Sequence, residues 1–432
     1  MMLRDAEIAS LRRAWGAPGR RCAELEVRIT AAPEGATALV AGESCRAVAY
    51  EALGGLPEPG ERVRLEVSAL ARRLGTGGHA MVTARLDVLP ADPAPGGHLV
   101  KARYMPDQIM VTGVDEQATE HHSVLAAPIG ELGLDGAPVV VADLHSSLPA
   151  ILAGLRSPGA APGPAPRVAY VMTDGGALPL PYSRAVCALV DAGWLVGTVT
   201  AGQAWGGDLE AVSVHNALLA ARHVLGAEVV VVIQGPGNLG TDTPWGFSGA
   251  ACGEAINAAA ALGGRPVACL RVSQADARPR HLGVSHHSMT AYGRVALAGA
   301  DVVLPAGAPD PAGMEGFWAG VRAQAASLCA ERERGERHRL VEARAEGCAR
   351  HWRPWRRPPA SACPPWGGVW TPMRPPSSRP PRRAGMRRPS SPGRAGRPAQ
   401  QGPGRSPAGG LRASAPVRPV RGCAPAWTSL AP

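Results

Sequence analysis

The chain has 432 residues and a formal charge of +10, but the positive charge is confined to one end. Residues 348–432 hold 16 Arg and no Lys, Asp or Glu, which leaves the first 347 residues at −6. Counterion release on phosphates needs a basic surface on the folded part, so nucleic-acid binding is excluded. With neither the apolar core of a signal peptide nor ~20 successive apolar residues, so are secretion and a membrane span, and the expected place is the cytoplasm.

Residues 21–110 read as β. The runs AELEVRI, RAVAYEAL, RVRLEVSAL and HAMVTARLDVL alternate and are separated by Gly/Pro turns. This spacing predicts a small β-barrel or sandwich, set at residues 1–120. LGTGG inside it is a turn between strands, because no helix pattern follows.

Residues 121–345 alternate β and α. APVVVADLH, RVAYVMTDGG, WLVGTVTAG, EVVVVIQG and RPVACLRVS predict buried strands, and TAYGRVALAGADVVLP predicts one more helix and strand. SSLPAILAGLR, SRAVCALVDAG and DLEAVSVHNALLAARHVLGA predict helices. The fold class expected is α/β, a doubly wound, mostly parallel sheet covered on both faces. From 346 to 432 the chain is Arg/Pro-rich without periodicity, which predicts a disordered tail. Nine cysteines lack any CxxC pairing; Cys187, Cys252, Cys269 and Cys329 read as buried reduced thiols. The one lysine, Lys101, reflects a GC-rich codon bias.

Polar residues gather where the strands end. Asp143 and His145 follow the first α/β strand, Asp174 the second, Asp208 and Glu210 the third, and Arg271, Arg280, His281, His286 and His287 the fifth. A parallel sheet sets these ends side by side, which is where open α/β sheets hold ligands. Asp143, Asp174, Asp208, Glu210 and His286 have acid–base chemistry. Gly235, Gly237, Asn238, Gly240, Thr241 and Thr243, in a loop that opens a helix, offer an anion site assisted by Arg271 and Arg280. That loop is neither a Walker A sequence nor a dinucleotide fingerprint. Asp143, His145, Asp208, Glu210, His281, His286 and His287 have the chemistry for a divalent metal, with His145, Asp208, His281 and His287 the expected ligands, although their spacing matches no diagnostic motif. Were His286 and His287 on a strand they would point opposite ways, so at most one would be a ligand. No other cofactor is indicated.

The stretches DLHSSLPAI, RVAYVMTDGGALPL, GTVTAGQAWGGDLEAV, GPGNLGTDTPWGFSG and LGGRPVACLRVSQADARPRHLGVSHHS carry a resemblance over residues 20–345. The chain resembles an uncharacterised bacterial family, domain of unknown function 3866. The family pattern has His where Gln203 stands here, and Gly in place of Asp242; the first departure removes a ligand or base from the rim. The family pattern ends in a helix and an STMGRG-like segment, for which residues 348–432 substitute. A frame-shifted, GC-rich back-translation of 347–373 permits that ending, so the tail reads as a frameshift product. The resemblance implies no activity.

These residues support an enzyme acting on a small anionic metabolite at the sheet's carboxyl rim. The alternatives are a non-catalytic nucleotide or metabolite sensor and a scaffold subunit. The sequence is compatible with a small-molecule ligand and with a homo-oligomer.

Overall fold

The computed structural model describes residues 1–344 apart from 76, 94–95, 158–163 and 332; the Arg/Pro-rich tail lies outside them. Alternation builds the N-terminal layer. In β1 (Leu3–Trp15) the side chains of Arg4, Ala6 and Ile8 turn inward, and in β2 (Cys22–Ala31) those of Ala23, Leu25, Val27 and Ile29 do so. With β3 (Ser44–Tyr50), β4 (Arg62–Glu66) and β5 (Ala80–Arg85) they form a closed barrel of order β1-β2-β3-β5-β4. All its pairings are antiparallel except β3 with β5. Arg4 is buried and donates to the carbonyls of Leu39 (2.7 Å) and Ala38 (2.9 Å), so its charge is not left unpaired inside the barrel. A helical turn, α1 (Ser68–Ala71), lies in the β4–β5 connection that also holds LGTGG.

The hairpin β6 (Leu99–Lys101) and β7 (Ile109–Val111) leads out, followed by the turn α2 (His122–Leu125). Then come β8 (Pro138–Ala142), β9 (Val168–Thr173), β10 (Gly197–Ala201), β11 (Leu209–Ala211), β12 (Val229–Gln234) and β13 (Arg265–Ala268). A two-residue pair, β14 (Val272–Ser273) and β15 (Gly283–Val284), precedes β16 (Asp301–Ala306) and β17 (Arg339–Arg344). Eight of these make one parallel sheet, β11-β10-β9-β12-β8-β13-β16-β17.

Both faces of the sheet are covered, which is why its strands read as continuous apolar runs. Along β12, Val229, Val231 and Ile233 pack into one core with Leu148 and Leu152 of α3 (Leu148–Leu155) and Val186 and Leu189 of α4 (Arg184–Asp191). Val230 and Val232 face the other core, with α5 (Val214–His223), α6 (Ala251–Ala261) and α8 (Phe317–Leu328). Each such valine contributes about 1.5–3 kcal/mol on burial.

Several elements differ from the sequence expectation, among them α8 and β17, for which the sequence predicts no element. The stretch taken as one helix from Asp208 is split: Leu209–Ala211 pairs with β10, and α5 starts only at Val214, capped by Ser213. The strand β1 begins at Leu3, well before residue 21. The barrel packs directly on the larger layer. Trp15 Nε1–H donates to Pro181 O at 2.7 Å, and the rings of Tyr50 and Trp205 meet edge-on at 5.7 Å.

The order of the strands marks one position on the carboxyl edge of the sheet. From β8 the chain runs outward on one side to β9, β10 and β11. It then returns to β12, beside β8, and crosses to β13 on the other side. The connections leaving β8 and β12 pass over opposite faces of the sheet, α3 on one and α6 on the other, and the gap between their carboxyl ends is a topological switch point.

Candidate functional site

Asp143 directly follows β8 and is 3 % exposed. Its carbonyl accepts from Gln234 Nε2 (3.1 Å) and Asn238 Nδ2 (3.0 Å), which fastens the end of β12 and the loop after it to the end of β8. Its carboxylate oxygen Oδ2 is buried without a hydrogen-bond partner; His287 Nδ1 lies 3.8 Å away.

The segment after β13 delivers the histidines. A short 3-10 turn, Pro279–His281, leads into β15, and Ser285 then caps α7 (His286–Thr290) by accepting from His287 N–H at 3.2 Å. Because His286 and His287 open a helix, their side chains project about 100° apart and not to opposite faces as on a strand, and the two rings come together. The centroids of His281, His286 and His287 are 4.4–4.9 Å apart, and one ring nitrogen of each lies within 4.8 Å of the others. Ser285 Oγ is 2.7 Å from His281 Nδ1, and Phe247 stacks flat on His287 at 3.9 Å. Burial, then the Arg271 and Arg278 guanidiniums, push the His281 pKa down to about 4. Burial, followed by His287 and Arg280, also lowers that of His286.

Cations ring the cluster. Arg271 Nη1 is 3.5 Å from His287 Nδ1, and its Nη2 is 3.4 Å from Asp276. Arg280 pairs with Asp242 across the two loops, while its own Nε is buried and unpartnered. Asp242 sits at φ 71°, a left-handed conformation that favours glycine. The glycine expected there from the family resemblance suits that backbone.

Other residues singled out in the sequence lie elsewhere or are already engaged. Both ring nitrogens of His145 are occupied, Nδ1 by Tyr170 Oη (3.1 Å) and Gln234 O (3.3 Å), Nε2 by Ser183 Oγ (2.6 Å). Burial pushes its pKa down to about 4. Asp174 is exposed and accepts from Gln203 N–H at 2.9 Å. Asp208 does not sit on the carboxyl rim: it precedes β11 and accepts from Thr198 N–H (2.9 Å) and Oγ1 (2.8 Å) at the amino end of β10, while pairing with Arg20 of the barrel. Glu210 lies within β11 and accepts from the buried Lys101 ammonium at 2.8 Å, Gly206 N–H at 2.7 Å and Thr200 Oγ1 at 2.5 Å. The Gly235–Thr243 loop uses its own amides: Gly235 N–H donates to Thr173 O (3.1 Å), Leu239 N–H to Ser248 Oγ (3.1 Å) and Thr241 N–H to Gly246 O (2.8 Å). Gly237 takes φ 87°, and Gly240 bridges Phe247, which carries that ring to His287. Thr243 Oγ1 accepts from Gly246 N–H at 3.0 Å.

Sequence reasoning gives no role to Phe247, one of two phenylalanines in the chain, and places Gly175 only as a residue following the second α/β strand. A Cβ at Gly175 would stand 2.2 Å from Gln234 Oε1, so the glycine leaves room for that amide. A glycine pair after a buried strand was the available signal.

Fold and site together define an α/β protein with a doubly wound parallel sheet, an N-terminal barrel and a polar cluster at the switch point. The chain belongs to the family described as "Protein of unknown function (DUF3866)", whose model matches residues 46–353. Neither the comparison with curated proteins nor that with solved structures gives a match. Among the described residues no helix is long and apolar enough to cross a membrane.

Proposed function

We propose that the chain is an enzyme acting on a small anionic metabolite in the crevice beyond β8, β12 and β13. In this reading Arg280 receives the anion, and Asp143 and His286 are the groups available for proton transfer. One observation carries it. Four buried side-chain atoms without a hydrogen-bond partner, Asp143 Oδ2, Gln234 Oε1, Arg280 Nε and His286 Nε2, come from the carboxyl ends of β8 and β12 and from the segment after β13. A buried polar group left unpaired costs about 1–3 kcal/mol, more when charged. Folding alone gives no reason to collect four on one rim; a ligand that pairs with them does. The set combines two oxygen acceptors, a guanidinium donor and an imidazole, which matches a carboxylate or phosphate that also carries hydroxyl groups. A neutral imidazole, as favoured by the lowered pKa of His286, can accept a proton.

A thermal-shift titration with hydroxycarboxylates, sugar phosphates and their neutral counterparts tests the reading. Ligand at 100 times its Kd stabilises by about 2.7 kcal/mol. One anionic class should raise the melting temperature and lose that effect in Arg280→Gln. Equal shifts from neutral counterparts, or full retention in Arg280→Gln, would contradict it.

A further inference from the structure

The geometry points to a divalent metal site formed by His281, His286, His287 and Asp143, of the nitrogen-rich kind that takes zinc or a similar first-row ion. It rests on the crevice reading above and gives that crevice an ion; with the ion in place Asp143 and His286 hold it, and the anion is left to Arg280 and Gln234. Two ligand atoms sharing an ion at about 2.0–2.1 Å stand roughly 3.3–4.1 Å apart. The three histidine nitrogens lie within 4.8 Å of one another, so side-chain movements of under about 1 Å bring them into range. The independent observation is Asp143. Its side chain is 5 % exposed, its Oδ2 has no partner, and it stands 3.8 Å from His287 Nδ1, inside the span that a shared ion allows.

The surroundings fit a ligand set. Metal-binding imidazoles are held by hydrogen bonds and packing from behind. Ser285 Oγ does this for His281 at 2.7 Å, and Phe247 does it for His287 by stacking. Arg271, 3.5 Å from His287 Nδ1, is the cation that an arriving ion would displace. Asp276 lies 3.4 Å from Arg271 Nη2 and is the carboxylate able to retain it. Three imidazoles and one carboxylate suit zinc, iron or manganese better than magnesium or calcium, which prefer oxygen alone. His145 and Asp208 have no place in this set, since Ser183, Tyr170, Thr198 and Arg20 engage them.

The test uses the full chain without an affinity tag, stripped with chelator and then titrated with Zn2+ or Co2+. Metal is counted by elemental analysis after gel filtration, and Co2+ is followed by its visible spectrum. One equivalent per chain is expected, retained in His145→Ala and weakened at least tenfold in Asp143→Asn and His287→Ala. Thermal melts of the metal-free variants establish that they fold, and Asp143→Asn is the conservative change. Wild-type protein without a stoichiometric ion, or unchanged affinity in both variants, would overturn the proposal. Anion binding to the metal-free chain is measured separately. Anion without metal would refute the metal site and leave the crevice reading standing; metal without anion would do the reverse.

Discussion

Asp143 and Asp301 are nearly equally buried, with side chains 5 % and 9 % exposed, yet their surroundings are opposite. Asp301 accepts from Arg339 Nε (2.7 Å) and Nη2 (2.8 Å) and from Arg265 Nε (2.8 Å). The Oδ2 of Asp143 accepts from nothing. The same substitution, Asp→Asn, should therefore have opposite effects. At Asp301 it removes the charge from two ion pairs. Both arginines are more than half exposed, so solvent screening holds each pair to about 0.3–1 kcal/mol, and the loss should be roughly 1–2 kcal/mol. At Asp143 it relieves part of a penalty of about 1–3 kcal/mol. Asn keeps one oxygen there, so the gain should be about 1 kcal/mol. At about 2–4 °C per kcal/mol, Asp143→Asn should melt a few degrees higher than wild type and Asp301→Asn a few degrees lower. Denaturant unfolding and calorimetry of both variants in chelator measure this. If Asp143→Asn is destabilised as much as Asp301→Asn, then Asp143 is a structural group and its unpaired oxygen marks no ligand.

The Asp301 pair also sets a pH dependence. Arg339 first, against a smaller effect of burial, and then Arg265 hold its carboxyl below the ordinary range. Its stabilisation is thus complete above the unfolded value of ~3.9 and is lost as pH falls through the folded one. The stability gap between wild type and Asp301→Asn should be constant from pH 5 to 8 and close below about pH 4 in acid titrations. Lys101→Met leaves Glu210 buried without its cation and should cost about 3–5 kcal/mol, while ligand affinity at the rim is unchanged in the folded fraction. Gly175→Ala pushes a Cβ against Gln234 Oε1; a stability loss of about 1–3 kcal/mol with weakened ligand binding is expected in paired melts and titrations.

The parallel sheet was legible because β8, β9, β10, β12 and β13 are apolar runs ending in polar loops, and both faces being covered is what makes them so. β1 was not, because one of its inward positions is Arg4, whose burial depends on carbonyls 34 and 35 residues away. Asp208 reads from the sequence as a carboxyl-rim residue for a local reason. The loop after β10 travels back to the amino end before the three-residue β11 begins, and so short a strand reads as part of the following helix. Asp143, His281, His286 and His287 are all metal candidates by residue type, but residue type does not bring them together. That His286 joins them depends on Ser285 opening a helix, and that Asp143 faces them depends on β8 and β13 being neighbours. Phe247 meets His287 across forty residues, and no periodicity encodes that contact.

A crystal of the chain soaked first in inorganic phosphate and then in Co2+ checks the rim itself. Phosphate density is expected at Arg280, in place of or beside Asp242, and an anomalous cobalt peak among His281, His286, His287 and Asp143. Full occupancy of both ions elsewhere on the molecule, with these side chains unmoved, would contradict the assignment of the crevice between β8 and β12 as the functional site.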